Sequence, residues 1–189
     1  MSDIVRTFIA IEIPENILSD IRELQQNLRH FGIDIRWIRP ENIHLTLKFL
    51  GDVPAANIDG IFRAISKAAE KVSSISLKAK GIGMFPGIKH PRVLWVGLDG
   101  QLDDLMRLQK TVDANLKDMG FPLERRPFKG HLTIGRIKVR LNTKTFGDAL
   151  TTFGNFETQT FTADKITVFK SELKPQGAVY TRLAIAPLA

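Results

Sequence analysis

Apolar residues recur along this chain with two periods, and the switches between them divide it into elements. Val5 to Ile13 (VRTFIAIEI) reads as a strand, and Pro14 opens a helix in which Ile17, Ile21, Leu24, Leu28 and Phe31 return at helical spacing until Gly32 closes it. A short strand over Ile35 to Ile38 leads through Pro40 into NIHLTLKFLG, which alternates polar and apolar residues up to Gly51. A helix from about Ala56 to Val72 follows, with Ile58, Ile61, Ile65 and Ala68 on its apolar stripe, and then a strand from Ile75 to about Met84. The second half runs in the same order. It has a strand at Val93 to Leu98, a helix from Leu102 to Met119, a loop, the strand HLTIGRIKV (131–139), a shorter helix at Thr145 to Phe153 and a strand at Phe161 to Phe169. A last strand, Val179 to Ala186, is added at the end.

Matching positions in the two halves keep a nearly constant offset: Arg6 to Arg92 is 86 residues and His44 to His131 is 87. The chain therefore carries an internal duplication. Such a unit predicts an α+β fold, a single bilobal domain over 1–189 with pseudo-repeat halves of about 1–88 and 89–189. Two mainly antiparallel sheets would carry helices on their outer faces and enclose a central cleft, where matching strands face each other. Nothing between the halves reads as a flexible linker. The segment GIGMFPGIKHPR (81–92), with its glycines and prolines, is expected to be a crossover or a substrate loop.

The 43% hydrophobic content, with two tryptophans and twelve phenylalanines, calls for a packed core. A chain of this size buries roughly 70% of its unfolded surface. The absence of cysteine removes disulfides, thiolate metal sites and cysteine nucleophiles. No basic leader opens the sequence and no apolar run approaches the ~20 residues that span a bilayer, so a cytoplasmic protein without a membrane partner is expected. The net charge of +7 fits a polyanionic partner, but fits a merely solvated surface as well.

The candidate chemistry lies in a tripeptide that occurs twice. Side chains alternate along a strand, so His44 and Thr46 face one way while Leu45, Leu47 and Phe49 face the core. His131 and Thr133 repeat this against Leu132 and Ile134. Two imidazoles and two hydroxyls across a cleft suit a phosphate ester whose nucleophile or leaving group is a sugar oxygen or water. One neutral histidine takes a proton and the other, protonated, gives one, a division that an ordinary pKa of ~6.5 permits near neutrality. The threonines can donate to non-bridging phosphate oxygens. A metal site would want a third ligand, usually a carboxylate. Glu41 and Asp52 flank the first motif, but His131 has Arg125, Arg126, Lys129 and Arg136 near it, which favours an anion, so no metal or cofactor is expected. A single His-Leu-Thr would read as strand surface; two at equivalent places, holding two of only four histidines, do not. His30 sits where it complements a helix dipole, and His90 reads as surface.

These residues carry a resemblance. HLTLKFLG (44–51) and HLTIGR (131–136) resemble the paired HxTx motifs of the 2H phosphoesterase superfamily. RTFIAIEIP (6–14), PRVLWVGL (91–98) and SELKPQGAVYTRLA (171–184) are similar to its RNA 2′,3′-cyclic phosphodiesterase branch, also called the 2′-5′ RNA ligase family. The likeness spans essentially the whole chain. It implies a bilobal fold and metal-independent hydrolysis of a 2′,3′-cyclic phosphate on RNA or a nucleoside to a 2′-phosphomonoester. It implies His44 as proton donor to the leaving 3′ oxygen, His131 as proton acceptor from water, and Thr46 and Thr133 as phosphate ligands. Joining in the reverse direction, to make a 2′-5′ linkage, would use the same pair. A non-catalytic module that binds RNA-end phosphates is the alternative from another class. The partners expected are RNA or oligonucleotide ends bearing the cyclic phosphate, acted on by a monomer with no obligate protein partner.

Arg136 lies five residues after His131, an odd offset that turns it out of the cleft in a regular strand. A phosphate role would need a bulge or a strand end at Gly135, and a surface arginine is the competing reading. Trp37, Trp95 and Phe128 could stack a base, although single aromatics in strands are usually core.

Overall fold

In the computed structural model, which describes residues 3–138 and 143–189, the periodic segments form nine strands and four helices. They run β1 (Ile4–Glu12), α1 (Glu15–His30), β2 (Arg36–Trp37), β3 (His44–Pro54), α2 (Ile58–Ala69), β4 (Ile75–Phe85), β5 (Val93–Gly100), α3 (Leu102–Lys117), β6 (Leu132–Arg136), α4 (Thr143–Phe153), β7 (Phe161–Ala163), β8 (Lys165–Lys174) and β9 (Gly177–Pro187). The last position of the expected strand 131–139, Val139, lies outside the described residues. Among those described, no helix is long and apolar enough to cross a membrane.

The strands follow the order β7-β4-β5-β6-β3-β1-β8-β9, with β2 paired to the end of β6, and every pairing is antiparallel. Two four-stranded sheets can be recognised in this path. They meet between β3 and β6 at one bridge, Leu45 to Leu132. Each sheet borrows from the other half of the chain: β4 joins β5 and β6, while β8 and β9 join β1 and β3. The halves of the sequence therefore interlock.

That exchange corrects two expectations. Phe161 to Phe169 is not one strand, because the chain breaks at exposed Asp164 and its two parts enter different sheets, β7 beside β4 and β8 beside β1. Nor is 81–92 a crossover between lobes. Its first five residues continue β4, and the rest closes an antiparallel hairpin onto β5, with the Arg92 N–H donating to the Phe85 carbonyl at 2.8 Å.

The apolar stripes of the helices explain why they cover one face. Ile17, Ile21, Leu24 and Leu28 of α1, Ile61 and Ile65 of α2, and Leu105, Leu108, Val112 and Leu116 of α3 share one buried cluster with Ile9, Ile11, Leu45, Leu47, Leu132 and Ile134 of the sheets. Burial of each such side chain contributes roughly 1.5–3 kcal/mol. A second, small cluster of Phe8, Ala10 and Phe169, with Tyr180 against it, is separate from this core. Phe8 and Ala10 alternate with core-facing Ile9 and Ile11, so these aromatics occupy the face opposite the helices, on which His44 and Thr46 stand.

Candidate active site

The single bridge sets the geometry of the site. Leu45 and Leu132 are fully buried, so the half-buried residues flanking them, His44 and Thr46 on β3 and His131 and Thr133 on either side of Leu132, face away from the helices. Because the strands run antiparallel, His44 falls on the side of Thr133 and His131 on the side of Thr46. The arrangement has approximate two-fold symmetry about the bridge. Neither threonine hydroxyl has a hydrogen-bond partner among the described residues.

Each imidazole is held in the same way. His44 Nδ1 lies 2.8 Å from the Asn42 carbonyl and His131 Nδ1 lies 2.7 Å from the Lys129 carbonyl, in both cases two residues back. A carbonyl only accepts, so each Nδ1 carries hydrogen and each Nε2 is left to exchange protons. Packing adds to the restraint. His44 stacks on Phe8 with centroids 4.7 Å apart and meets Tyr180 edge-on at 5.3 Å; His131 meets Phe85 edge-on at 5.0 Å and Trp95 at 6.4 Å. Lys129 caps the second group, its Nζ 4.5 Å from the Trp95 ring centroid. The two environments differ electrically. Burial lowers the His44 pKa from 6.5 to about 4, with the positive charges of Arg136 and His131 acting in the same direction and the bond to Asn42 opposing them.

Arg136 reaches this site because β6 contains a bulge. Against β5, Leu94 pairs with Gly135 and Trp95 with Thr133, so Ile134 is the extra residue. Ile134 and Gly135 both face the core, and Arg136 emerges on the cleft side, where its charge acts on His44. Gly135 allows a close approach there, since a Cβ would lie 2.3 Å from Ile35 Cδ1 and that side chain would have to shift. The displaced Ile134 carbonyl accepts from the Ile38 N–H at 3.0 Å and from Gln25 Nε2 at 2.9 Å. Gln25, buried in α1, thus pins the bulge.

An equivalent bulge overturns the expectation for Phe49. Ile9 pairs with Lys48 and Ala10 with Thr46, leaving Leu47 extra, so Leu47 and Lys48 both point to the helices. Lys48 is buried in an ion pair with Asp113 of α3 and also donates to the Pro122 carbonyl. Phe49 is turned out of the core, 65% exposed, with its ring 6.0 Å from Phe8. Phe49 and Arg136 hold matching positions, five residues after each histidine.

The other candidates fall into place more simply. Trp95 lies beside His131 with its Nε1 buried and lacking a partner among the described residues. Trp37 is half-buried with Arg29 stacked on it at 5.1 Å, and Phe128 packs against the main core. His30 and His90 are exposed and make no contact with the pair. Among the described residues no group of three or more His, Asp or Glu side chains comes together as a metal site would require. Sequence reasoning missed Asn42, Gln25, Phe8 and Tyr180, whose roles arise from backbone carbonyls and cross-strand neighbours.

Comparison with known proteins bears on the fold and the family. The model of the family described as LigT like Phosphoesterase matches twice, over residues 11–95 and 96–180, which is the duplication seen in the sequence. A Methanocaldococcus jannaschii protein named RNA 2′,3′-cyclic phosphodiesterase is 35% identical over 93% of this chain and 96% of its own. One of the same name from Aquifex aeolicus is 31% identical over 94% of each. Among solved structures, TT0787 of Thermus thermophilus superposes with a TM-score of 0.80 at 26% identity, covering 97% of both chains. Escherichia coli LigT complexed with 3′-AMP shares the fold, with a TM-score of 0.78 over 99% of both chains at 20% identity. The duplicated, strand-exchanged framework that carries the paired histidines is thus shared with a known enzyme family, and this chain belongs to the LigT-like phosphoesterases.

Proposed function

We propose that this protein hydrolyses the 2′,3′-cyclic phosphate of an RNA end or a nucleoside to a 2′-phosphomonoester, without a metal, with His44 and His131 as its acid and base. The names of the relatives supply the reaction. The observation that carries the mechanism is the matched hydrogen bond at each Nδ1, which fixes both imidazoles in the one tautomer that leaves Nε2 to work. Water attacks phosphorus as His131 Nε2 takes its proton. The bond from phosphorus to O3′ breaks, and protonated His44 gives its Nε2 proton to that oxygen. Thr46, Thr133 and Arg136 hold the non-bridging oxygens and the charge that develops on them. Attack by a 5′-hydroxyl in place of water would give a 2′-5′ linkage with the same groups. The reading takes the protein as a cytoplasmic monomer.

One observation favours a second division of the work. With its pKa at about 4, His44 is neutral at pH 7 in the empty cleft, which suits a base better than an acid. For His44 to donate, the bound phosphodiester anion must raise that value by opposing Arg136 and His131.

The test uses an oligonucleotide ending in a 2′,3′-cyclic phosphate, in EDTA. Turnover is expected, and His44→Ala and His131→Ala should each remove most of it while changing binding modestly. Loss in EDTA that a divalent metal restores would sink the metal-free mechanism, and binding without turnover would leave a recognition module. Sulfur in place of O3′ needs no proton to leave, so it should rescue whichever variant lacks the acid. Rescue of His44→Ala supports the first division and rescue of His131→Ala the second.

A further inference from the structure

Beside Phe8, on the face that carries His44, lies a cavity of about 480 Å³ whose lining includes Arg6, Arg36, Arg39 and Arg136 and no acidic residue. We propose that Arg6, Arg36 and Arg39, beside Arg136, form a subsite for the internucleotide phosphate next to the cyclic end, so that the enzyme selects oligonucleotides over mononucleotides. This rests on the hydrolase reading above. It goes further, because a cyclic mononucleotide brings a single negative charge to the site, which Arg136 beside His44 answers, and leaves three guanidinium groups without an anion.

Two of the arginines are arranged against their own interest. Arg36 of β2 and Arg136 of β6 are direct cross-strand partners, so their side chains leave the sheet on one face with Cβ atoms roughly 5 Å apart, where like charges destabilise a sheet. The guanidinium groups of Arg6, Arg36 and Arg136 have no ion-pair or hydrogen-bond partner among the described residues. Arg39 spends one N–H on the Gln176 carbonyl at 2.8 Å, which fixes it at the cavity edge. A solvated surface would spread such charges apart. Three in one concavity beside Arg136 match a second phosphate, which accepts several N–H groups at once.

The surroundings set a direction. On the other side of Asn42 and Tyr180 a second cavity, about 840 Å³, is lined by His44 and by Glu12, Glu15 and Glu41, with Arg39 shared between the two cavities and Arg182 paired to Glu12. Glu12 is paired with Arg182 and Glu15 with Arg22, so that side is close to balanced in charge, and a polyanionic strand leaving His44 is drawn to the first cavity, where four arginines meet no carboxylate. The exposed ring of Phe49 lies in the wall of the arginine cavity, where it offers a stacking face for the base attached to the same phosphate. A base and a phosphate are thus provided for together, one residue away from the reacting end.

The experiment compares a dinucleotide ending in a 2′,3′-cyclic phosphate with its analogue carrying a neutral methylphosphonate at the internal link. The ratio of their kcat/KM values isolates the charge of that link, since the reacting end is the same in both. Wild type should prefer the charged link about tenfold, the size of one charge-assisted hydrogen-bond set. The preference should shrink as salt rises, and fall to near one in Arg36→Gln. Arg6→Gln, on a different strand, serves should Arg36→Gln fail to fold. A wild-type ratio near one, or a ratio untouched in the variants, overturns the subsite. If wild type turns over neither the dinucleotide nor a cyclic mononucleotide, the hydrolase reading falls instead. The subsite is then decided by titration with 2′-phosphate-ended dinucleotides, where equal affinity for charged and neutral links refutes it.

Discussion

Protonation of His44 is the perturbation that the site resists most. Burial lowers its pKa from 6.5 to about 4, with help from Arg136 and His131. At about 1.4 kcal/mol per pH unit, that gap corresponds to roughly 3 kcal/mol against the charged form, and at pH 7 only about one molecule in a thousand carries it. The unfolded chain binds this proton from about pH 6.5 downward, whereas the folded one does not until about pH 4. Stability from this group is therefore complete above about pH 6.5 and falls by up to roughly 3 kcal/mol as the pH drops towards 4. Histidine carbon and nitrogen shifts followed by NMR from pH 3 to 8 measure it directly, with His44→Gln for assignment. Three results are expected: a low midpoint in the free protein, a rise in Arg136→Gln, and a larger rise when inorganic phosphate fills the site. A free-protein midpoint near 6.5 would refute the account of burial, and a midpoint unmoved by phosphate would exclude His44 as the proton donor.

Two further predictions concern the framework. Lys48→Met leaves the Asp113 carboxylate buried without its cation, and chemical denaturation should show a loss of about 3–5 kcal/mol. Adding Asp113→Asn, which keeps an acceptor for the Glu124 N–H, should restore more than half; no recovery would mean that the pair is not what holds the region. Gly135→Ala places a Cβ 2.3 Å from Ile35 Cδ1 and should cost about 1–3 kcal/mol while lowering kcat/KM through a displaced Arg136. Gly147→Ala, in α4 with open space around it, should instead be neutral or stabilising by up to about 1 kcal/mol, and equal effects at the two glycines would contradict the packing argument.

The helices, the duplication and the paired histidines are legible in the sequence because each has a periodic or repeated signature. Ile17, Ile21, Leu24 and Leu28 mark their helix by spacing alone, and two identical tripeptides mark the site. The bulges are not equally visible. Gly135 signals one, since glycine inside a strand often marks a kink, and so leaves a cleft position open to Arg136. HLTLKF (44–49) alternates without interruption and carries no sign that Leu47 and Lys48 share a face, so its pattern sends Phe49 to a core that the ring does not enter. The split at Asp164 is hidden for a related reason: local pattern shows that a segment is extended, while the sheet that it joins depends on partners far along the chain. The carbonyls of Asn42 and Lys129 lie beyond any reading of side chains, because every residue has one.

The exchange of strands carries a consequence for how two imidazoles in matched places can differ. Two identical copies of a half-chain, each lending a strand to the other as β4 and β8 are lent here, would place the site-bearing strands around an exact dyad at the Leu45–Leu132 bridge. Symmetry would then give both imidazoles the same surroundings and hence the same proton affinity. Within one continuous chain the two copies are free to drift apart. Here one has an aromatic ring, Phe49, where the other has a guanidinium, Arg136, and one imidazole stacks on Phe8 while the other stands edge-on to Phe85. Covalent fusion removes the constraint of sameness, and unequal neighbours are what would allow two equal side chains to take the opposite parts proposed for them.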